Sequence, residues 1–147
     1  MARILKSMSG GFIPDLDGNV GSQGGNLRSD VAAVQFALLV LSKGVWTPIG
    51  PASGSLSVPG QGTIVIDGFY GPQTAAYIDA YQAKRIHVPS SSGGSLPTPN
   101  GNFGNSRRTE WRLNLLVEDI PTSMGNYLDL VRTDSRCPPF LKDVFIW

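Results

Sequence analysis

The stretch IDGFYGPQTAAYIDAYQ, residues 66–82, decides the fold of this chain. Asp67 and Gly68 predict a tight turn, because an Asp side chain can accept a hydrogen bond from its own downstream backbone and glycine can adopt a positive φ. Pro72 suits the first turn of a helix, where a backbone N–H has no partner inside the helix. The stretch therefore predicts a rigid turn that leads directly into a helix, with two aromatic side chains held between them.

Five segments have the three- and four-residue spacing of apolar side chains that is typical of amphipathic helices. The first is expected to have Ser29 as its N-cap and Asp30 in its first turn, and to end at Gly44. Each set of spaced residues is expected to form one buried face, and Asp79 and Gln82 are expected to face solvent. The five sets are Val31, Val34, Leu38 and Leu41; Thr74, Tyr77, Ile78 and Tyr81; Leu113, Leu116, Val117 and Ile120; Met124, Tyr127, Leu128 and Val131; and Phe140, Leu141, Val144 and Phe145.

Two segments rich in Gly, Pro and Ser separate these helices. Residues 44–62 form one of them, and the β-branched run TIVI that follows, residues 63–66, predicts a short strand. In residues 89–106, 15 of 18 residues are Gly, Pro, Ser or Asn, a composition typical of a loop or linker. Residues 1–88 are therefore expected to form one module. Residues 107–147 are near the lower length limit for independent folding, so we expect them to pack back onto it.

Two of these segments together resemble the peptidoglycan-binding domain family. That family's pattern reads Asp-Gly-x-aromatic-Gly-x-x-Thr, followed by a helix that ends in aromatic-Gln. Here the pattern is met by Asp67, Gly68, Tyr70, Gly71, Thr74, Tyr81 and Gln82. The family's first helix is similar to DVAAVQFALLVL, residues 30–41, with Val31, Val34, Gln35, Leu38 and Leu41 in register. The resemblance covers residues 26–84, roughly 40% of the chain, and DGNVGSQ (residues 17–23) echoes DGFYGPQ (residues 67–73).

The resemblance implies a small three-helix bundle. Together with the spacing and composition described above, it predicts a mainly α fold with long Gly/Pro/Ser-rich loops and an α-helical C-terminal extension packed on the bundle, an extension that has no counterpart in the family's minimal module. It also implies a non-catalytic module that binds peptidoglycan, the cell-wall glycopeptide, in a shallow groove formed by residues 67–74 and the following helix. The candidate ligand-binding residues are Trp46, Asp67, Phe69, Tyr70, Gln73, Thr74, Tyr77 and Tyr81. Residues 44–62 depart from the family pattern as an insertion that either builds or blocks this groove.

Each candidate residue is open to two interpretations, either contact with a ligand or a role in the fold itself. Aromatic faces stack on the apolar faces of sugar rings, and such sites need only a few polar groups to orient the ligand. Tyr77 and Tyr81 lie on the predicted buried stripe, which favours a place in the core. Tyr70 and Trp46 lie on loops, where ligand contact and packing are equally compatible with the sequence. Asp67 is favoured as a turn-forming residue over a ligand-binding one.

The composition argues against several other classes of protein. A net charge of +1, from 12 basic and 11 acidic residues, lacks the concentrated basic surface of a nucleic-acid-binding protein. The one cysteine, Cys137, cannot form an internal disulfide. With the one histidine, His87, it cannot by itself supply a zinc site, and no carboxylates have the spacing that would complete one. The acidic residues form no recognisable glycosidase pair. We therefore predict no enzyme activity, no cofactor and no metal.

The N-terminal residues lack the apolar run of a secretory signal, and no stretch approaches the roughly 20 apolar residues of a membrane span. The chain is expected to be made in the cytoplasm and to reach the wall after lysis or through specialised export. Its expected partners are peptidoglycan, a separate wall hydrolase or an assembly protein. The alternative is a structural or adaptor subunit of a phage tail, or of a secretion or injection machine. In that case the apolar tail PPFLKDVFIW, residues 138–147, either docks a partner or closes the core.

Overall fold

The chain is mainly helical in a computed structural model, as the sequence predicts. The structure describes residues 3–6, 12–43, 56, 58–85, 98–104, 111, 113–120 and 127–143. Within these ranges the helices are α1 (Arg28–Lys43), α2 (Pro72–Arg85), α3 (Leu113–Asp119), α4 (Tyr127–Thr133) and α5 (Pro139–Lys142). The strands are β1 (Arg3–Lys6), β2 (Phe12–Asp15), β3 (Val20–Gly21) and β4 (Asn102–Phe103).

The strands form two small antiparallel sheets. Strand β1 pairs with β2, with Arg3 opposite Asp15. Strand β3, which lies shortly before α1, pairs with β4, with Val20 opposite Phe103. Strand β4 lies within residues 89–106, the tract predicted as a loop or linker. The described end of that tract is therefore hydrogen-bonded to the N-terminal part of the chain.

Helix α1 lies at the centre of the core, in contact with α2, α3, α5 and β3. Every residue from Asp30 to Leu41 is buried. The prediction of a single buried face is therefore wrong for this helix, because neighbours cover it on every side and its apolar residues run all the way round. The helix also begins at Arg28, so the predicted cap Ser29 lies inside its first turn, where the N–H of Val31 donates to the Leu27 carbonyl over 2.9 Å.

Helix α2 buries the predicted stripe of Thr74, Tyr77, Ile78 and Tyr81, and Asp79 is exposed as expected. The expectation for Gln82 is wrong, since its side chain is completely buried. Periodicity of apolar residues gives no indication of a buried polar side chain, whose place depends on distant backbone groups that need hydrogen-bond partners.

The C-terminal helices contact the central helix. The hydroxyl of Tyr127 in α4 donates to the carbonyl of Ala33 in α1 over 2.8 Å, and its ring centroid lies 5.8 Å from that of Phe36. Leu141 of α5 is buried in the same apolar cluster. Three residues of the predicted helical sets, Met124, Val144 and Phe145, lie outside the described residues.

The TIVI segment, residues 63–66, does not form the predicted strand. Its backbone is instead hydrogen-bonded by the side chain of Gln73 in α2. The Gln73 Oε1 accepts from the Val65 N–H over 2.9 Å, and its Nε2 donates to the carbonyls of Gln61 and Thr63 over 2.7 and 3.1 Å. One side chain therefore satisfies two backbone groups of this segment, the Val65 N–H and the Thr63 carbonyl.

Candidate functional site

The loop that carries the family pattern is held to α1 by one side chain, Gln35, which is 1% exposed. Its Oε1 accepts from the Gly68 N–H over 2.9 Å. Its Nε2 lies 3.0 Å from Asp67 Oδ1, 3.0 Å from Thr74 Oγ1 and 3.1 Å from the Phe69 carbonyl. We call this arrangement the Gln35 clamp. It fixes the turn and the start of α2 on the central helix.

The clamp requires an unusual backbone at its centre. Gly68 has a φ of 78°, and a Cβ there would lie 2.4 Å from Arg28 Cγ. The side chain of Asp67 closes the turn by accepting from the Phe69 N–H over 2.9 Å. Burial acts to raise the pKa of Asp67, but the hydrogen bonds from Phe69 and Gln35 outweigh it and hold this pKa below its ordinary value. Asp67 is thus a turn-forming residue, as its sequence context favours.

Tyr77 and Tyr81 lie in the core and are 3% and 0% exposed. The hydroxyl of Tyr77 donates to the carbonyl of Gly62. The hydroxyl of Tyr81 donates to Asp119 Oδ2 over 2.5 Å, and the same oxygen lies 2.9 Å from Arg85 Nε. Burial, with the nearby Asp119 charge, raises the pKa of Tyr81 well above its ordinary value. Both hydroxyls therefore join parts of the fold and neither ring is accessible to a ligand.

Phe69 and Trp46 differ from the other aromatic candidates. Phe69 is 66% exposed, and the Arg28 guanidinium carbon lies 5.7 Å from its ring centroid. The same carbon lies 4.4 Å from the ring centroid of Phe140 in α5, a distance at which cations and aromatic faces attract each other. Trp46 lies outside the described residues.

A second clamp, absent from our sequence-based expectations, joins α2 to residues 98–104. The Oε1 of Gln82 accepts from the N–H groups of Asn100 and Gly101 over 3.0 and 2.8 Å, and its Nε2 donates to the Asn102 carbonyl over 2.9 Å. Gly101 has a φ of 72°, close to that of Gly68. We call this arrangement the Gln82 clamp, and it repeats the geometry of the Gln35 clamp one helix later.

The turn at Asp17 and Gly18, in the stretch that resembles residues 67–73, is also held to α1. The N–H groups of Asp17 and Gly18 donate to the carboxylate oxygens of Asp30 over 3.3 and 2.9 Å. Asp30 is completely buried, and burial raises its pKa more than these two hydrogen bonds lower it. Three glycine turns are therefore each held by a polar side chain from a neighbouring helix.

An open cleft of about 390 Å³ lies where these turns meet the exposed side of α2. Among the candidate residues that the structure describes, Tyr70 alone lines it. The lining residues are Ser22, Tyr70, Asp79, Pro99, Asn100 and Gly101. At the position corresponding to Tyr70 in the other two turns, Val20 and Phe103 are completely buried. Tyr70 is only half-buried and presents part of its side chain to the cleft.

Tyr70 and Asp79 lie close enough to interact electrostatically. Burial, and to a smaller extent the charge of Asp79, raises the pKa of Tyr70 above its ordinary value, so the phenol stays protonated at neutral pH. A Cβ on Gly101 would lie 3.2 Å from Asp79 Oδ1, so the carboxylate lies directly beside this turn. The cleft thus combines an aromatic ring, a hydroxyl donor and a carboxylate acceptor.

Sequence reasoning missed Ser22, Asp79 and Asn100 as lining residues. The run NGNFG, residues 100–104, carries a signal that could have found the last of them. It repeats the glycine and aromatic spacing of DGFYG, residues 67–71, in a tract interpreted from composition alone as a loop or linker.

Comparisons with known proteins do not extend the resemblance noted in the sequence. No family model matches the chain, and neither a curated protein nor a solved structure is significantly similar to it.

In the part of the chain that the structure describes, no group of three or more His, Cys, Asp or Glu side chains is arranged to hold a metal ion. None of the helices there has the length and apolar character needed to cross a membrane.

Proposed function

We propose that this chain is a non-catalytic module that binds peptidoglycan and targets a partner or an assembly to the bacterial cell wall. The cleft beside Tyr70 carries this proposal. It offers a half-buried aromatic ring next to a few polar groups, a combination suited to a sugar or peptide ligand. The resemblance of residues 26–84 to the peptidoglycan-binding family supports the same ligand.

The location of the site is revised from the groove expected along residues 67–74 and the following helix. The side chains of Gln35 and Asp67 hold the turn through hydrogen bonds. Tyr77 and Tyr81 are buried in the core. Tyr70 keeps a partly accessible ring and becomes the centre of the proposed site. Among the described residues that line the cleft, Asp79 is the one carboxylate, whereas glycosidases use two, which favours binding without catalysis.

Co-sedimentation with isolated peptidoglycan sacculi tests the proposal. The wild-type chain is expected to pellet saturably at concentrations up to about 100 μM, which includes weak sites. Tyr70→Ala is expected to weaken pelleting, and Phe69→Ala, which removes an exposed aromatic side chain outside the cleft, is expected to leave it unchanged. No pelleting of the folded wild-type chain would overturn the proposal.

The second candidate is a structural or adaptor subunit of a phage tail, or of a secretion or injection machine. Exposed large apolar side chains favour it, namely Leu27, Val65 and Phe69, which are 47%, 58% and 66% exposed. Such side chains mark a protein interface when they form a contiguous patch. Light scattering after size-exclusion chromatography tests this candidate, which requires an oligomer that Phe69→Ser dissociates. A monomer up to about 100 μM would refute self-assembly through this surface.

A further inference from the structure

The exposed face of α2 carries a charge that the fold does not use. Asp79 lies three residues before Gln82, so the two side chains project from neighbouring positions on the helix. Gln82 holds the turn at residues 100–102, while Asp79 is exposed in the cleft beside that turn. Among the described lining residues, Asp79 is the one acidic residue and none is basic, so these residues make the cleft electronegative.

The wall of the cleft beside Asp79 is ordered by hydrogen bonds within the protein. Asn100 donates its N–H to Gln82, and its Oδ1 accepts from the Asn102 N–H over 2.9 Å. The Asn100 carbonyl accepts from Asn102 Nδ2 over 2.8 Å. Because these bonds already order the turn, a ligand does not have to order it on binding, which favours affinity.

A carboxylate beside a tyrosine ring favours a cation over an anion. The carboxylate accepts charge-assisted hydrogen bonds from an ammonium group, and an aromatic ring attracts cations and packs on apolar carbon. An anionic ligand would be repelled, since the described lining residues include no Lys, Arg or His. A cleft of about 390 Å³ also lies within the size range of small-ligand sites.

We propose that the cleft formed by Tyr70, Asp79 and Asn100 binds a primary ammonium group whose neighbouring C–H groups pack on the Tyr70 ring. This inference rests on the proposed function and names the recognised group. Two components of a wall polymer carry that chemistry, namely the free side-chain amine of a diamino acid in the peptide and the free amine of a deacetylated amino sugar. The neutral acetylated forms of both are expected to bind more weakly.

Titrations of the ¹⁵N-labelled full chain, followed by NMR, separate these sources. The probes are Nα-acetyl-lysine amide, its Nε-acetylated form, glucosamine and N-acetylglucosamine. We expect the amide signals of Asn100 and Gly101 to shift with at least one free amine and to shift less with its acetylated form. The amine that produces the tighter binding identifies the source. Equal binding of the free and acetylated forms, or no shift, would overturn the proposal.

Charge-removal variants test the role of Asp79. Asp79→Asn is expected to weaken binding of the amine by about two- to fivefold, the range of effect that an exposed ion pair produces. The matched control Asp129→Asn removes an exposed carboxylate from α4, outside the cleft, and is expected to leave binding unchanged. Equal effects of the two variants would show that only net charge matters and would refute a site at Asp79.

Sacculi with native and with chemically acetylated amines separate this inference from the proposed function. Pelleting that is lost on acetylation supports both. Pelleting that survives acetylation leaves the wall-binding proposal standing and refutes amine recognition. If native sacculi do not pellet the chain while the free amines still shift Asn100 and Gly101, the proposed function fails and amine recognition by the cleft stands.

Discussion

Replacing Gln82 by alanine tests whether the Gln82 clamp holds residues 98–104 against α2. The substitution removes three hydrogen bonds, to the backbone groups of Asn100, Gly101 and Asn102. At about 1 kcal/mol net for each bond, their loss would cost about 3 kcal/mol. Loss of the buried Cγ methylene adds about 0.8 kcal/mol.

Two effects reduce this sum. Asn100 is exposed and Gly101 is half-buried, so their released N–H groups regain hydrogen bonds to water. Alanine also favours the helix by a few tenths of a kcal/mol relative to glutamine. We therefore expect Gln82→Ala to lower the free energy of unfolding by about 2–3 kcal/mol, a large part of the stability of an ordinary domain.

Urea denaturation at neutral pH measures this loss, with Gln23→Ala as the matched control. Gln23 is exposed, so its replacement should change the free energy of unfolding by less than about 0.5 kcal/mol. Hydrogen exchange should also show faster exchange of the Gly101 amide in Gln82→Ala. If that variant matches the control in both measurements, the turn is held by other contacts and the clamp is not a determinant of stability.

Three further outcomes are expected from other buried groups. Gly68→Ala should lower the free energy of unfolding by about 2 kcal/mol or more in urea titrations, since it combines a positive φ with a close contact to Arg28; a neutral effect would contradict the strained turn. Because burial raises the pKa of Asp30, its protonated carboxyl group stabilises the folded chain at pH values below 3.8, the ordinary pKa of Asp. This stabilisation is lost as the pH rises through the pKa of the folded state. Asp30→Asn should thus gain stability relative to the wild type as the pH is raised from below 3.8 to neutrality; parallel pH profiles would contradict this. Burial raises the pKa of Cys137 from 9.0 to about 11, so its thiolate fraction at pH 8 falls about 100-fold. A thiol reagent should accordingly react at least 100-fold faster in denaturant than with the native chain, and equal rates would contradict burial.

The helical fold could be predicted from the spacing of apolar residues, because burial of a helix face leaves that pattern in the chain. The stripe of α2 and the apolar residues of α3 follow it directly. The all-round burial of α1 could not be predicted in this way, since it depends on how many neighbours surround the helix. The missing strand at residues 63–66 has the same kind of cause, because Gln73 supplies hydrogen bonds that local β propensity does not foresee.

The candidate site could be predicted only in part. Tyr70 was found because it belongs to a recognisable pattern, whereas Asp79 looks like any exposed helix carboxylate. Its place in the cleft depends on residues 99–101, which are held beside α2 by the hydrogen bonds from the Asn100 and Gly101 N–H groups to Gln82. The motif residues Gln35 and Thr74 show the opposite case. They belong to a conspicuous sequence pattern, but their side chains hold the fold together and do not line the cleft.

The two glutamine clamps also determine where the chain could accept foreign sequence. The Gln35 clamp joins residues 33 positions apart, and the Gln82 clamp joins residues 19 positions apart, with closely similar geometry. The length of chain between clamp and turn therefore does not set the position of the turn. Doubling such a length costs only about 0.6 kcal/mol in closure entropy, less than the expected contribution of a clamp. An affinity tag no longer than the segment between Gln35 and Gly68, inserted between Lys43 and Leu56, should consequently leave the cleft assembled, which would give a tagged protein for locating its ligand.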